Sequence, residues 1–156
     1  SEHLFFDDVE VGQTWVSQGR TITEADLVNF AGVSGDFNPI HVDQAFAETT
    51  PFGRRIAHGL LVLSIGSGLI VQSPPMRTMA FTSIQSWHFL QPVFIGDTIT
   101  VESEVIEKHE RARGRRGEVF WRRRIMNQEG VVVQEGTSVI LVEGRASQRK
   151  RAQASS

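Results

Sequence analysis

An α+β fold, in which an antiparallel sheet wraps one apolar helix, is what this chain predicts. Three observations carry the prediction. The run from Gly59 to Gln72 is apolar nearly all round, which marks a buried helix. Four β-rich segments follow it in close succession, as antiparallel strands joined by short turns do. The chain has 156 residues, and one near that size forms a single domain burying about 70 % of its unfolded surface.

The elements follow in order. Asp8 to Ile22 reads as a first strand. Thr23 is placed to cap a helix over Glu24 to Val33, because Glu24 and Asp26 suit its positive end and Gly35 stops it. Asp36 to Arg55 contains Pro39, Pro51 and Gly53, so it reads as an irregular excursion with at most a short helix at Gln44 to Glu48. The apolar helix follows; Gly66 and Gly68 let neighbours approach it, and Pro74-Pro75 ends it. The strands are expected at Ala80 to Leu90, Asp97 to Lys108, Glu118 to Gln128 and Val131 to Glu143, with turns at Gly96-Asp97 and Asn127 to Gly130. Ile99, Val101, Ser103 and Val105 alternate onto one face. One helix gripped by such a sheet is the hot-dog architecture. The domain is expected over residues 1–144. The basic, polar stretch 145–156 lacks large apolar groups and is expected to be a disordered tail.

Composition narrows the chemistry. With no cysteine, disulfides, thiolate zinc sites and cysteine nucleophiles are excluded. The first residues lack the basic start and apolar run of a secretory signal, and the longest apolar stretch falls short of the ~20 residues a bilayer span needs. A soluble, cytoplasmic protein is expected. Net charge is −2, so a nucleic-acid partner, which calls for a basic domain, is not expected. Arginines nevertheless crowd Arg111 to Arg124, and the tail holds Arg145, Arg149, Lys150 and Arg151. They read either as a solvated loop and tail or as attraction for a phosphate-bearing ligand.

Gly35-Asp36-Phe37-Asn38-Pro39-Ile40-His41 is the most informative stretch. An Asp and a His can position one water and move its protons near neutral pH. Their spacing is not the three or four that stacks side chains on a helix. Fully extended, the chain would hold them up to about 17 Å apart. They meet only if the chain folds back, and Asn38-Pro39 favours that turn. The alternative has Asp36 capping a turn and His41 packed in the interior. Gly59 opens the apolar helix, so its N–H is one of the unpaired first-turn donors and could hold an oxyanion; its alternative role is to permit close packing. Ser67, two turns further on and on nearly the same face, either joins the site or bonds a carbonyl of its own helix. No nucleophile elbow surrounds it.

These pieces, with Phe30-Ala31, Ala45-Phe46-Ala47, Ile56 to Leu61 and Pro92 to Asp97, resemble the signature of the MaoC-like, or (R)-specific enoyl-CoA hydratase, family. The resemblance spans about Asp7 to Val142. It implies a hot-dog fold and a hydro-lyase that adds water to a trans-2-enoyl-CoA, giving the (R)-3-hydroxyacyl-CoA, or runs the reverse dehydration. It implies Asp36 and His41 as the acid–base pair, Gly59 as oxyanion donor, and Ser67 orienting Asp36. Asn38 and Pro39 support the loop. It also implies a homodimer or higher homo-oligomer, with the ligand tunnel completed between copies. A branched or dicarboxylic enoyl-CoA such as a methyl-fumaryl (mesaconyl) thioester is the leading alternative substrate, with Arg54 and Arg55 as candidate acyl- or phosphate-binding groups. A thioesterase and a non-catalytic acyl-CoA-binding subunit are the remaining alternatives.

No separate cofactor is expected, because coenzyme A would enter as part of the substrate; no phosphate loop or dinucleotide fingerprint occurs. No metal is expected either: His41, Asp43 and His58 do not follow a recognised ligand spacing. His58 is placed to cap the apolar helix, His3 and His109 to be solvated, and His88 to pack beside Trp87.

Overall fold

A computed structural model describes residues 2–155. Thr23 and Asp26 open helix α1 (Glu24–Ser34) reciprocally. Thr23 Oγ1 accepts from the Asp26 amide at 3.3 Å, and Asp26 Oδ2 accepts from the Thr23 amide at 2.8 Å. Gly35, at φ 78°, ends the helix in the left-handed conformation that glycine adopts without strain and turns the chain into Asp36. The excursion that follows is more ordered than its prolines suggest. It holds α2 (Pro39–Val42) as well as the expected α3 (Gln44–Glu48). The extra turn forms because Asn38 Oδ1 accepts from the Ile40 amide at 3.2 Å and Pro39 takes the first helical position.

The segment before α1 is not the single strand expected over Asp8 to Ile22. It forms β1 (Thr14–Val16) and β2 (Arg20–Thr21), both antiparallel to β4 (Thr98–Arg111). The break has a local cause: the Val101 amide donates to Ser17 Oγ at 2.9 Å, so a hydroxyl stands where a ladder carbonyl would. Downstream the chain supplies β3 (Thr78–Phe89), β5 (Arg116–Met126) and β6 (Val132–Glu143). The sheet order is β1-β4-β5-β6-β3, with β2 also on β4. Alternation on β4 is as read: Ile99, Val101, Ser103 and Val105 are all buried.

Helix α4 (Gly59–Leu69), continued by a single 3₁₀ turn at Ile70–Gln72, lies against the concave face of this sheet, which is the hot-dog arrangement. Its Leu61 and Val62 pack with Ile99, Val101, Ile125 and Val133 of the sheet, while Phe6, Val9, Val105, Val119, Trp121 and Ile140 form a second cluster further along the sheet. One expectation fails. The helix is apolar all round yet not wrapped all round: Leu60 is 60 % exposed, and Ser64, Ser67 and Gly68 are also exposed. The sheet ends at β3, whose Met79, Phe81, Ile84 and Phe89 stand open on that side. His88 is exposed rather than packed, because adjacent strand residues face opposite ways and Trp87 takes the inner side.

The stretch 145–156, expected to be disordered, contains α5 (Arg145–Ser155). Ala146, Gln148, Arg149, Ala152 and Gln153 are good helix formers. Arg145 fastens its start through its amide to Asp7 Oδ1 at 2.9 Å and its guanidinium to Asp8. Among the described residues no helix is long and apolar enough to cross a membrane.

Candidate active site

The excursion between α1 and α4 brings its acid and its imidazole together. His41 Nε2 lies 3.9 Å from Asp36 Oδ2, with the histidine buried and the carboxylate half exposed. That separation lets one water touch both groups. Each is fixed from behind. Asp36 Oδ1 accepts from the Asn38 amide at 3.1 Å, so Asn38 shapes the loop at its own N–H as well as through its cap. His41 Nδ1 lies 2.7 Å from the Ile56 carbonyl, which can only accept. The neutral ring therefore carries its proton on Nδ1 and presents a bare Nε2 toward Asp36.

His58 was legible as a cap, but it does something else. It occupies the cap position of α4 without a side-chain capping bond. Its ring stacks on His41 with centroids 3.8 Å apart and 23° between planes, and Phe30 meets it edge-on at 4.9 Å. His58 Nε2 donates to the Asp36 carbonyl at 3.0 Å. Burial drives its pKa below the ordinary imidazole value, and the neighbouring His41 adds to that, which favours the neutral ring. Asp36, His41 and His58 each bring a ligand atom within 4.8 Å of the others. Asp43, weighed at first with the histidines as a metal ligand, is elsewhere: its Oδ1 caps α3, accepting from the Phe46 amide at 3.0 Å.

Gly59 opens α4 beside this cluster, and its N–H belongs to the first turn, which the helix itself leaves unpaired. The cavity bordered by Asp36, His41, His58, Gly59, Phe89 and Gln134 holds about 760 Å³. Two further residues shape Gly59, and no local signal announces them. A Cβ at position 59 would stand 2.8 Å from Phe89 Cδ1, so the phenyl ring occupies the space a side chain would need. Gln134, 2 % exposed, donates from Nε2 to the Gly59 carbonyl at 3.0 Å while its Oε1 accepts from Trp87 Nε1 at 2.9 Å. Gln134 comes from β6, so only the folded sheet brings it to the helix start.

The other expected residues lie apart. Ser67 does not meet Asp36: its hydroxyl donates to the Ser64 carbonyl at 2.6 Å, and it borders different cavities with Phe81 and Arg123. The reason is distance along the helix, about 12 Å at 1.5 Å per residue from Gly59. Arg55 is committed to Glu24 Oε1 at 2.7 Å and Gln44 Oε1 at 3.0 Å, and Arg54 lies over the Phe94 ring at 4.0 Å. Neither borders the Asp36 cavity. The Arg111 to Arg124 cluster is not a loop. Most of it lies on β5, where Arg122 pairs with Glu104 and Arg124 with Glu102 and Glu135, while Arg111 pairs with Glu118.

The chain is similar to known proteins over most of its length. The family described as MaoC like domain matches residues 8–121. A 3-hydroxybutyryl-CoA dehydratase of Methylorubrum extorquens is 42 % identical over 113 residues, covering 72 % of this chain and 71 % of that protein. An (R)-specific enoyl-CoA hydratase of Aeromonas caviae is 43 % identical over 102 residues, covering 65 % and 75 %. Among solved structures, a MaoC-like dehydratase from Rhodospirillum rubrum superimposes with a TM-score of 0.82 at 29 % identity, covering 91 % of this chain and 98 % of that one.

Proposed function

Because the chain belongs to the MaoC-like domain family, we propose that it is a hydro-lyase that hydrates trans-2-enoyl-CoA thioesters to (R)-3-hydroxyacyl-CoA, or runs the reverse dehydration. The observation that carries this reading is the 3.9 Å approach of Asp36 Oδ2 to His41 Nε2 beside the open first turn of α4. The relatives named as a dehydratase and an (R)-specific hydratase of CoA thioesters support it.

The chemistry follows from the residues. A water held between the two groups gives up a proton as its oxygen bonds the β-carbon. Asp36, open to the cavity, takes that proton. His41 in its protonated form hands one from Nε2 to the α-carbon; its other nitrogen is occupied by the Ile56 carbonyl. The proton on Asp36 then returns to His41 across the gap between them. In the reverse direction each group exchanges its role as acid or base. As the β-carbon is attacked, negative charge gathers on the thioester oxygen, and the Gly59 N–H at the positive end of α4 offsets it. Coenzyme A enters with the acyl group, and the reaction calls for no separate cofactor.

The test is spectrophotometric, following the conjugated thioester of crotonyl-CoA. Asp36→Asn keeps the shape and removes the base, and should lower kcat by about 10²–10⁴. Equal, slow consumption by wild type and variant would end this reading.

We also infer a homodimer. β3 is a twelve-residue edge strand with an open apolar face, and such an edge is normally covered. The exposed side of α4 lies beside it, so a two-fold partner would cover both. Light scattering at assay concentration should give twice the chain mass; a monomer there would contradict it.

A further inference from the structure

Beyond the catalytic cavity, β5 carries a cation with no counter-charge. Arg123 is 6 % exposed, and its Nη1 donates to Ser103 Oγ, its cross-strand partner on β4, at 2.6 Å. The guanidinium lies over the Trp121 ring at 4.4 Å. Among the described residues no carboxylate pairs with it. Burial alone pulls its pKa down to about 9. Buried charges are ordinarily paired, because desolvation costs more than one neutral hydrogen bond returns.

Its neighbours are also donors without acceptors. Among the described residues, four buried side-chain polar atoms have no hydrogen-bond partner. One is His58 Nδ1. The other three are Arg123 Nε, Trp121 Nε1 and Ser138 Oγ, and all three residues border one joined space. That space consists of two cavities of about 540 and 270 Å³ sharing Ser67, Ile70, Phe81 and Arg123. A guanidinium and an indole N–H only donate, so the lining asks for an acceptor. Ile84, Trp87 and Ile125 give the smaller cavity apolar walls, while the lining of the larger one includes Arg77 and Glu143, which pair with each other at 2.9 Å.

A second copy cannot supply the missing charge through the same face. Neither β3 nor the stretch Gly59 to Ser73 contains an Asp or Glu. A two-fold partner presenting those same segments would close the cavity and leave Arg123 unpaired. An anionic end of a small molecule can supply it. One buried guanidinium matches the single charge of a carboxylate, in the planar two-point geometry it favours.

We propose that Arg123 receives a carboxylate at the far end of the acyl group, so that the preferred substrates are dicarboxylic acyl thioesters. This rests on the hydratase reading for the thioester end and on Arg123, not Arg54 or Arg55, for the acid end. Ser67, on the α4 face that borders the same space, lines the acyl path rather than orienting Asp36.

The test measures binding by calorimetry, so it does not depend on turnover. Saturated pairs of equal length are compared on the wild-type homo-oligomer: butyryl- with succinyl-CoA, hexanoyl- with adipyl-CoA, octanoyl- with suberyl-CoA, and decanoyl- with sebacyl-CoA. At one length or more the diacid should bind at least about tenfold more tightly than its partner, as a charged hydrogen bond in a dry site predicts. Arg123→Met should erase or reverse that ratio, and Arg123→Lys should keep part of it. A monoacid preference at every length would overturn the proposal, as would an Arg123→Met variant that weakens free coenzyme A as much as the diacid, since the anion would then be a phosphate. If Arg123→Met does not fold, the wild-type series decides alone. Diacid preference in a protein that hydrates no enoyl-CoA would sink the hydratase reading and leave the carboxylate site standing; crotonyl-CoA turnover without diacid preference would do the reverse.

Discussion

The two ends of α4 are built on opposite rules. At the N-terminal end nearly every polar group is pinned: His41 to the Ile56 carbonyl, His58 to the Asp36 carbonyl, Gly59 to Gln134. The exception among the buried groups is His58 Nδ1. Two turns on, Arg123, Trp121 and Ser138 each hold a donor without an acceptor. On the proposed reading the first end moves protons, which demands fixed distances, and the second selects a ligand, which demands unused bonding capacity. A site that reacts and a site that selects would then look different before any ligand is present.

Three perturbations bear on this contrast, from the largest effect to the smallest. Asp36→Asn, with its loss of about 10²–10⁴ in kcat, should leave the preference for diacids untouched if the two ends are separable. A ratio that moved with it would show that they act as one. Next comes Gly59→Ala. The new methyl would stand 2.8 Å from Phe89 Cδ1, so either the ring or the start of α4 must move. A displaced first turn should lower kcat/KM for crotonyl-CoA by about 10²-fold, since small misplacements of a site are costly. Shortening the ring with Phe89→Leu in the same chain should restore part of it. Wild-type rates for Gly59→Ala alone would refute the crowding argument.

The smallest effect is on stability. His58 has its pKa lowered by burial, so the folded protein resists a proton that the unfolded chain accepts near the ordinary value of about 6.5. Below that pH the unfolded state binds more protons, and stability falls with falling pH until the folded pKa is passed. Denaturation midpoints between about pH 7.5 and 5 should decline more steeply for wild type than for His58→Gln. Parallel slopes would mean that the ring is not held neutral.

What the sequence disclosed follows the same divide. The pair Asp36 and His41 was legible because both lie on one short stretch with an Asn-Pro bend between them, so local chain chemistry sufficed. Helix α1 and the alternation on β4 were legible for the same reason: a cap, a glycine stop and a period of two are local signals. Gln134 and Phe89 reach Gly59 only through the sheet, and nothing near them in the chain says so. Arg123 was hidden inside a run of three arginines. Its neighbours on either side, Arg122 and Arg124, face the charged side of β5 and find glutamates, whereas strand alternation turns Arg123 inward. Charge composition could not show which of the three faced which way. Ser67 misled because a two-turn spacing on one helix face looks like proximity when it is about 12 Å of axis. The α5 helix was misjudged because its anchors, Asp7 and Asp8, lie at the other end of the chain.

That last anchorage has a consequence for engineering. Asp7 and Asp8 hold the start of α5 through the Arg145 amide and guanidinium, so the opening segment and the closing helix of this domain are neighbours in space. A short flexible linker could join them, and new termini could be cut at the exposed Asn127–Gly130 turn, giving a circularly permuted enzyme whose proton-moving loop stays internal to the chain.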